Sequence, residues 1–514
     1  MYQRPKFLVT SMYGIMFIVL GNLAGNAVAF GMYFAKAIGK SDKDRGLVVG
    51  FAIVALSLAA GVHVFSRRGG IAVNNMFAIF KVCLMTVMIL LGFIKAAGKG
   101  HFSGSSLFYK NFNLTGVWTP ANCSGIYRPN EIVNSTSSMR LGSDNFRLKE
   151  SFALGKPYDF ADWAYSFLFV TYAWSGFYQP FYVLSEVKAA RRNFPFWNIF
   201  ALGIVYVLYL LLLVSYYLIV PKNVVFCGED WDARDFASVF FGHLFGNEAA
   251  KRGMFALIAL NILGNLIVNT FTAARVKQEI AKEGILPFSL FLMAGRTTPY
   301  TWLRSKFAHW RKESLMDGQL GSISQASGFL REQTPMGALF LHWFFSVLLI
   351  AVTAKLKPVE QYQLLIRIYT YAMVVLLGAV VSGSLILAYC RKSLDWKNRA
   401  SFRPWLSPLP AVIYFVVCCF SMVTNFFKLD SRSPYFTEVP WWVAPMVGLI
   451  MPLLGLFWCG GLRLVQWKIQ KKLVVTRTVI CAHDEQDPDE YVQVAEIIKH
   501  SWVVIWSKLK GGNT

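Results

Sequence analysis

The chain has 514 residues, of which 55% are hydrophobic, 16% aromatic and only 15% charged. Soluble domains carry about 25% charged residues, so the composition excludes a soluble enzyme or binding module and indicates a polytopic membrane protein. The net charge of +23 does not mark a nucleic-acid partner, because Lys and Arg gather in the connections on one side, where the positive-inside rule and an anionic inner leaflet place them.

Ten apolar segments are long enough to cross a bilayer: residues 7–37, 48–65, 71–93, 160–183, 197–220, 254–274, 336–354, 368–390, 409–427 and 441–459. Each comes close to or exceeds the ~20 residues that a helix needs to span the hydrocarbon core. The first run is too long for the core of a signal peptide. An even number of crossings puts both ends of the chain on one side, taken as cytoplasmic from the basic residues. In the first segment Asn22 and Asn26 lie four apart beside Gly21 and Gly25. Close helix packing through small residues accounts for that face, with substrate contact as the minority reading. The second segment contains His63, read with His342 as a packing or interfacial histidine.

Lys81 sits within the third apolar segment, FAIFKVCLMTVMILLGF. An ammonium near mid-bilayer costs about 2.5–3.5 kcal/mol on insertion scales, which favours a functional role over snorkelling to the headgroups. The exterior loop over residues 94–159 carries three sequons, at Asn113, Asn122 and Asn134, and is expected to be glycosylated. Cys123 and Cys227 are the cysteines of the exterior loops and one bridge between them is an open possibility.

The most informative stretch runs from Tyr172 to Glu186 in the fourth segment, YAWSGFYQPFYVLSE. Ser175, Gly176 and Pro180 interrupt an apolar helix there, which at bilayer depth is tolerated where freed backbone groups face a cavity. Glu186 ends the stretch and reads equally as part of a cytoplasmic gate or as one half of a helix-end ion pair. A cytoplasmic loop over residues 275–334 opens with ARVKQEIAKEGILPF, expected as a short polar helix stopped by Gly284 and Pro287. The tail, residues 465–514, includes YVQVAEIIKHSWVVIWSKLK, which suggests an amphipathic surface helix. No HExxH, GxSxG, P-loop or CxxC motif occurs in the context its chemistry needs, so neither enzyme activity nor a metal or cofactor is expected.

YAWSGFYQPFYVLSEVKAARRNFP, GVHVFSRRGGIAVNNMFAIFKV and ARVKQEIAKEGILPF, with LGNLAGNAVAFGMYFA and RPKFL, fall in an order that resembles the amino acid–polyamine–organocation superfamily. The likeness is strongest to its L-type branch and to the fungal permeases that include the methionine permeases, and covers residues 4 to about 464. It implies an all-α inverted-repeat transporter fold of about ten transmembrane helices, corresponding to the family's third to twelfth. The substrate implied is a neutral amino acid, carried by alternating access across, in the first instance, the plasma membrane, with protons as the possible coupling ion.

The resemblance implies an aromatic gate at Tyr172, an unwound substrate-binding stretch at Ala173, Trp174, Ser175 and Gly176, and a side-chain pocket contact at Tyr178. Asn22 matches a pocket-lining position, and Lys81 matches the lysine that replaces a sodium ion. The family's first two helices have no counterpart here, which leaves Tyr172–Gly176 as the expected unwound segment and predicts amino acid binding weakened by at least ~100-fold. A remnant or nutrient sensor of the same fold is the alternative; a membrane-embedded transferase is disfavoured for want of a catalytic His or acidic cluster.

The topology is testable in intact cells. In a cysteine-free background, a cysteine placed at Ser138 is expected to react with an impermeant maleimide and one placed at Ser66 is not; the reverse pattern inverts the orientation.

Overall fold

The computed structural model describes residues 7–97, 160–186, 190–220, 240–241, 244–245, 248–303, 306, 333–391, 395–396, 406–428, 438–483 and 491–504. All ten apolar segments appear in it as helix. They are α1 (Leu8–Leu20) with α2 (Ala24–Ala37), α3 (Arg45–Phe65), α4 (Arg67–Ala96), α5 (Phe160–Ala173) with the 3-10 helix α6 (Gln179–Glu186), and α7 (Ala190–Ile219). There follow α8 (Glu248–Lys282), the short α9 (Ser289–Met293), α10 (Met336–Thr353), α11 (Pro358–Cys390), α12 (Leu409–Thr424) and α13 (Val443–Ile469). Eight helices are long and apolar enough to cross a membrane; the interrupted α5–α6 segment and the shorter α12 make up the ten. The protein is an all-α polytopic membrane protein. Asn113, Asn122, Asn134, Cys123 and Cys227 lie outside the described residues.

Contacts between chain-distant loops fix which ends share a side. Gly39 lies against the Arg252 guanidinium, and Lys357 Nζ bonds Glu438 Oε1 at 2.7 Å, so the α2–α3, α7–α8, α10–α11 and α12–α13 ends fall on the faces that alternation requires. On the other face Arg67 and Thr334 border one small cavity, and Trp458 Nε1 donates to Ile285 O at 2.8 Å.

Small residues set the core. Ala24, Ala27 and Val28 of α2 meet Ala52, Ala55 and Ala59 of α3 and Ala259 and Leu266 of α8. In lipid, helices gain little from burying apolar surface against one another, so close backbone approach and dispersion must hold them together. A second cluster joins Met16, Phe17 and Leu20 of α1 to Val276 and Ile280 of α8 and Leu364 and Ile368 of α11. A third packs Leu84 and Met88 of α4 on Ile219, Phe240 and Phe241. The α7 surface, with Phe196, Trp197, Ile199 and Phe200 all exposed, has the apolar exterior of a helix bathed by lipid.

Three sequence expectations change. The first apolar segment is not one helix: α1 ends at Leu20 and α2 begins at Ala24. The motif ARVKQEIAK is no separate helix but the continuous end of α8, closed by Gly284 at φ +72°, a left-handed position that glycine occupies without strain. The tail does not form an amphipathic helix. After α13, which runs to Ile469, β1 (Lys471–His483) pairs antiparallel with β2 (Tyr491–Val504).

KKLVVTRTVICAH and YVQVAEIIKH are rich in Val, Ile and Thr, the β-branched residues that favour strands. The hairpin grips the end of α8. Arg477 reaches Glu283 at 2.7 Å and Glu279 at 3.5 Å, Lys282 reaches Glu496 at 2.8 Å, and His500 Nε2 lies 3.0 Å from Lys282 O.

Gly455 lets α13 approach α1 closely, since a Cβ there would stand 2.5 Å from Met12 Cα and 2.7 Å from Ser11 O. Backbone atoms cannot swing aside. Gly455→Val is therefore expected to cost about 1–3 kcal/mol, read as a lower melting temperature of the purified chain in detergent; an unchanged melting temperature would refute the contact.

Candidate functional site

The two interrupted segments touch, through Tyr172 of α5 and Asn26 of α2. After Leu20 the chain turns through Gly21, Asn22 and Leu23 before α2 resumes, and Asn22 holds the turn with its own side chain. Its Nδ2 donates to Val19 O at 2.5 Å and its Oδ1 accepts from Ala24 N at 3.1 Å. One amide thus joins the end of α1 to the first N–H of α2 from the position before its N-cap, Leu23. Asn22 is 5% exposed, and its side chain bonds both sides of the break.

The second interruption follows Ala173. Trp174–Tyr178 form turns, with Gly176 at φ +105°, and Gln179–Glu186 resume as a 3-10 helix. A positive φ of that size suits glycine and strains other residues. Thr272 of α8 donates its hydroxyl to Gln179 Oε1 at 2.8 Å and so anchors the resumed helix.

Beside the first interruption lies a cavity lined by Leu20, Asn22, Leu23, Ala24, Gly25 and Asn26 of the α1–α2 segment, by Tyr172 near the end of α5, and by Leu349, Leu365, Ile366, Ile368 and Tyr369 from α10 and α11. It holds about 20 Å³, room for a single water. Tyrosines seal it. The Tyr172 hydroxyl donates to Asn26 Oδ1, Tyr178 and Tyr369 share a hydrogen bond at 2.8 Å, and Tyr172 meets the Tyr369 ring edge to face at 6.4 Å. Tyr369 stands directly before a π-helical stretch, Thr370–Leu376. Such bulges displace the residues beside them from regular helix register.

The electrostatics follow from the backbone. The end of α1 and the start of α2 carry partial negative and positive charge, and part of their backbone is already bonded within the break: Val19 O and Leu20 O accept from Asn22, and Ala24 N donates to Asn22 Oδ1. An interrupted helix therefore presents an acceptor end for an ammonium and a donor end for a carboxylate a few ångströms apart. The flanking surface is aliphatic and aromatic.

The residues expected at the site divide. Asn22, Tyr172 and, through Tyr369, Tyr178 come together at the cavity. Ala173 and Trp174 are exposed, and Trp174 packs on Tyr206 and Tyr209 of α7 at 5.3 and 5.0 Å. Ser175 and Gly176 form the turn without lining the cavity. Lys81 stands midway along the 30-residue α4. It shares a helix face with buried Phe77 and Leu84, is half-buried, and does not line the cavity. Among the described residues it has no hydrogen bond or ion pair. Glu186 ends α6 by backbone position; its side chain lies outside the described part. Tyr369 was not singled out from the sequence, although a hydroxyl within an apolar span, IRIYTYAMVVLL, is a usable signal. Asn26 was read with Asn22 as a packing residue, with substrate contact as the minority reading.

Tyr172→Phe leaves Asn26 Oδ1 without its donor and is expected to destabilise the chain by about 1–3 kcal/mol. Adding Asn26→Leu should return part of that loss, measured as melting temperatures in a double-mutant cycle; additive losses would show that the two side chains do not interact.

The comparisons with known proteins bear on what such a cavity serves. The family model described as amino acid permease matches residues 1–452. The chain is 22% identical over 479 residues to the high-affinity methionine permease of Saccharomyces cerevisiae, covering 91% of this chain and 66% of that protein. It is 22% identical over 292 residues to the low-affinity methionine permease of the same yeast, covering 57% of this chain and 45% of that protein. The chain thus spans slightly under two thirds of the length of the first relative and under half of the second. With the family model matched over most of its length, the chain belongs to the amino acid permease family.

Proposed function

We propose that the protein is a secondary transporter of neutral amino acids such as methionine, that it works by alternating access, and that the cavity beside the first interruption is its substrate site. One observation carries this reading: two interrupted membrane segments face one cavity whose remaining walls are aliphatic and aromatic. The α1–α2 break offers complementary helix ends to the zwitterion, and Leu349, Leu365 and Ile366 offer an apolar wall to an uncharged side chain. The likeness to two yeast methionine permeases supports that substrate class.

The cavity is too small for an amino acid as it stands, so transport requires the walls to move. The π stretch of α11 and the Tyr172–Asn26 and Tyr178–Tyr369 bonds are the contacts that must open. Motion of the interrupted segments against α8 and α10 accomplishes this with the site near the midplane. The sequence reading left the Tyr172–Gly176 segment alone to bind the charged ends of the substrate; the break at Gly21–Leu23 adds a second set of helix ends.

Lys81 is assigned a coupling role, either as a fixed cation or as a proton carrier, on the cost of a mid-span ammonium. The protein acts at the plasma membrane, with Asn113, Asn122 and Asn134 glycosylated on the exterior side.

Uptake of radiolabelled methionine by permease-deficient yeast cells expressing the chain tests the reading. Saturable uptake, competed by other neutral amino acids and lowered at least tenfold by Asn22→Ala, is expected. Uptake equal to that of empty cells would leave a non-transporting member of the family. Lys81→Ala is expected to slow uptake and alter its pH dependence while membrane insertion is kept, since removal of a mid-span charge eases insertion; an unaltered rate and pH profile would make the lysine structural.

A further inference from the structure

Lys277 and His342 form a basic pair that no part of the proposed substrate site uses. Lys277 lies near the end of α8 and His342 near the start of α10, which places both toward the face taken as cytoplasmic. Lys277 is 0% exposed and His342 1% exposed, and Lys277 Nζ stands 3.1 Å from His342 Nδ1. His342 Nε2 is buried and has no hydrogen-bond partner among the described residues. Ser346 returns its hydroxyl to His342 O, which ties the backbone and not the ring.

Neighbouring charges do not neutralise the pair. On α8, Arg275 donates to Gln278 Oε1 and lies over the Phe271 ring, while Glu279 and Lys282 pair with each other at the helix end. From α3, His63 bonds Ile267 O. From α4, Arg67 borders a separate small cavity with His63 and Arg275. From α1, Tyr13 lies against the Phe17 ring, and α9 and the rest of α10 hold no titratable side chain. From the hairpin, Arg477 and Glu496 engage Glu279, Glu283 and Lys282. Among the described residues, none of these has a polar atom within hydrogen-bond or ion-pair distance of Lys277 Nζ or the His342 ring.

We propose that Lys277 and His342 form a proton-binding site that holds one proton between them in the observed packing and takes a second only when α8 and α10 separate. At 3.1 Å one nitrogen must donate and the other accept, so an ammonium facing an imidazolium has no hydrogen bond to offer. Two like charges at that distance, shielded from water and without a carboxylate, repel strongly. The unfolded or opened chain binds both protons at acidic pH, whereas the closed pair binds one. By linkage, the closed packing loses stability as the pH falls through about 6.5, the ordinary histidine range. Acid on the cytoplasmic side thus favours parting of the two helices. The inference stands on the pair alone and does not depend on transport.

The test uses the purified full chain in detergent. Deuterium exchange at the His342 C2 position is followed by mass spectrometry from pH 5 to 9, in the wild type and in Lys277→Met. The wild type is expected to show no titration step at His342 near pH 6.5, and Lys277→Met to gain one. A step near 6.5 in the wild type, or the same profile in both proteins, overturns the proposal. Should Lys277→Met fail to give monodisperse protein, His342→Gln replaces it. The fall in melting temperature between pH 7 and pH 5 is then expected to shrink relative to wild type, and a fall of equal size overturns the proposal.

Discussion

A membrane offers the backbone no water, so every peptide group left out of a helix must find a partner within the protein or face a cavity. The structure depends on how that demand is met at two places, Gly21–Leu23 and Trp174–Tyr178. At the first, Asn22 supplies both a donor and an acceptor from one amide, and the break can be buried. At the second, backbone turns such as Ser175 N to Tyr172 O and Gln179 N to Gly176 O carry the chain to the 3-10 helix. The two interrupted segments leave Asn22, Asn26, Tyr172 and Tyr369 around one cavity whose other walls are aliphatic.

Around that site the protein uses hydroxyls and amides rather than charges. Tyr172, Tyr178, Tyr369, Asn26 and Gln179 bond one another or neighbouring helices, and each bond can be exchanged for one to a ligand at modest net cost. Charged groups sit elsewhere. Lys81 lies on the α4 face that packs among apolar residues, Lys277 meets His342, and Arg367 is held by Tyr165 and by Trp441 O at 3.1 Å. Arg367 lies 4.3 Å over the Tyr165 ring, so α5, α11 and the start of α13 are joined by one guanidinium. A cation in such a place constrains helix arrangement more than it adds stability, because its desolvation offsets most of what its contacts return.

The hairpin that follows α13 extends the same logic beyond the bilayer. Arg477 and Lys282 alternate with Glu279, Glu283 and Glu496, and His500 Nε2 donates to Lys282 O at the end of α8. Exposed pairs of this kind are individually worth little. Their value here is geometric: they hold the end of α8, the helix that carries Lys277 and anchors Gln179, against a fixed strand.

Composition and the length of the apolar runs determined the membrane class and the ten segments, because the ~30 Å hydrocarbon core imposes a length on any helix that crosses it. The Ser175–Gly176–Pro180 cluster marked the second break for an equally local reason, since these residues weaken helix wherever they occur. Nothing local marked the break at Asn22. Gly and Asn at that spacing serve small-residue packing equally well, and the break appears only in the folded chain, where Asn22 bonds both sides of it. The partnership of Lys277 with His342 was equally hidden. The two residues are remote in the sequence, and each looks ordinary until α8 and α10 pack side by side. The tail was misread because YVQVAEIIKHSWVV supports either period over a short run, and its pairing with Lys471–His483 settled it as strand. Periodicity belongs to one segment, whereas a cavity, a buried pair or a ladder belongs to two, and two-segment properties appear only when the chain has folded.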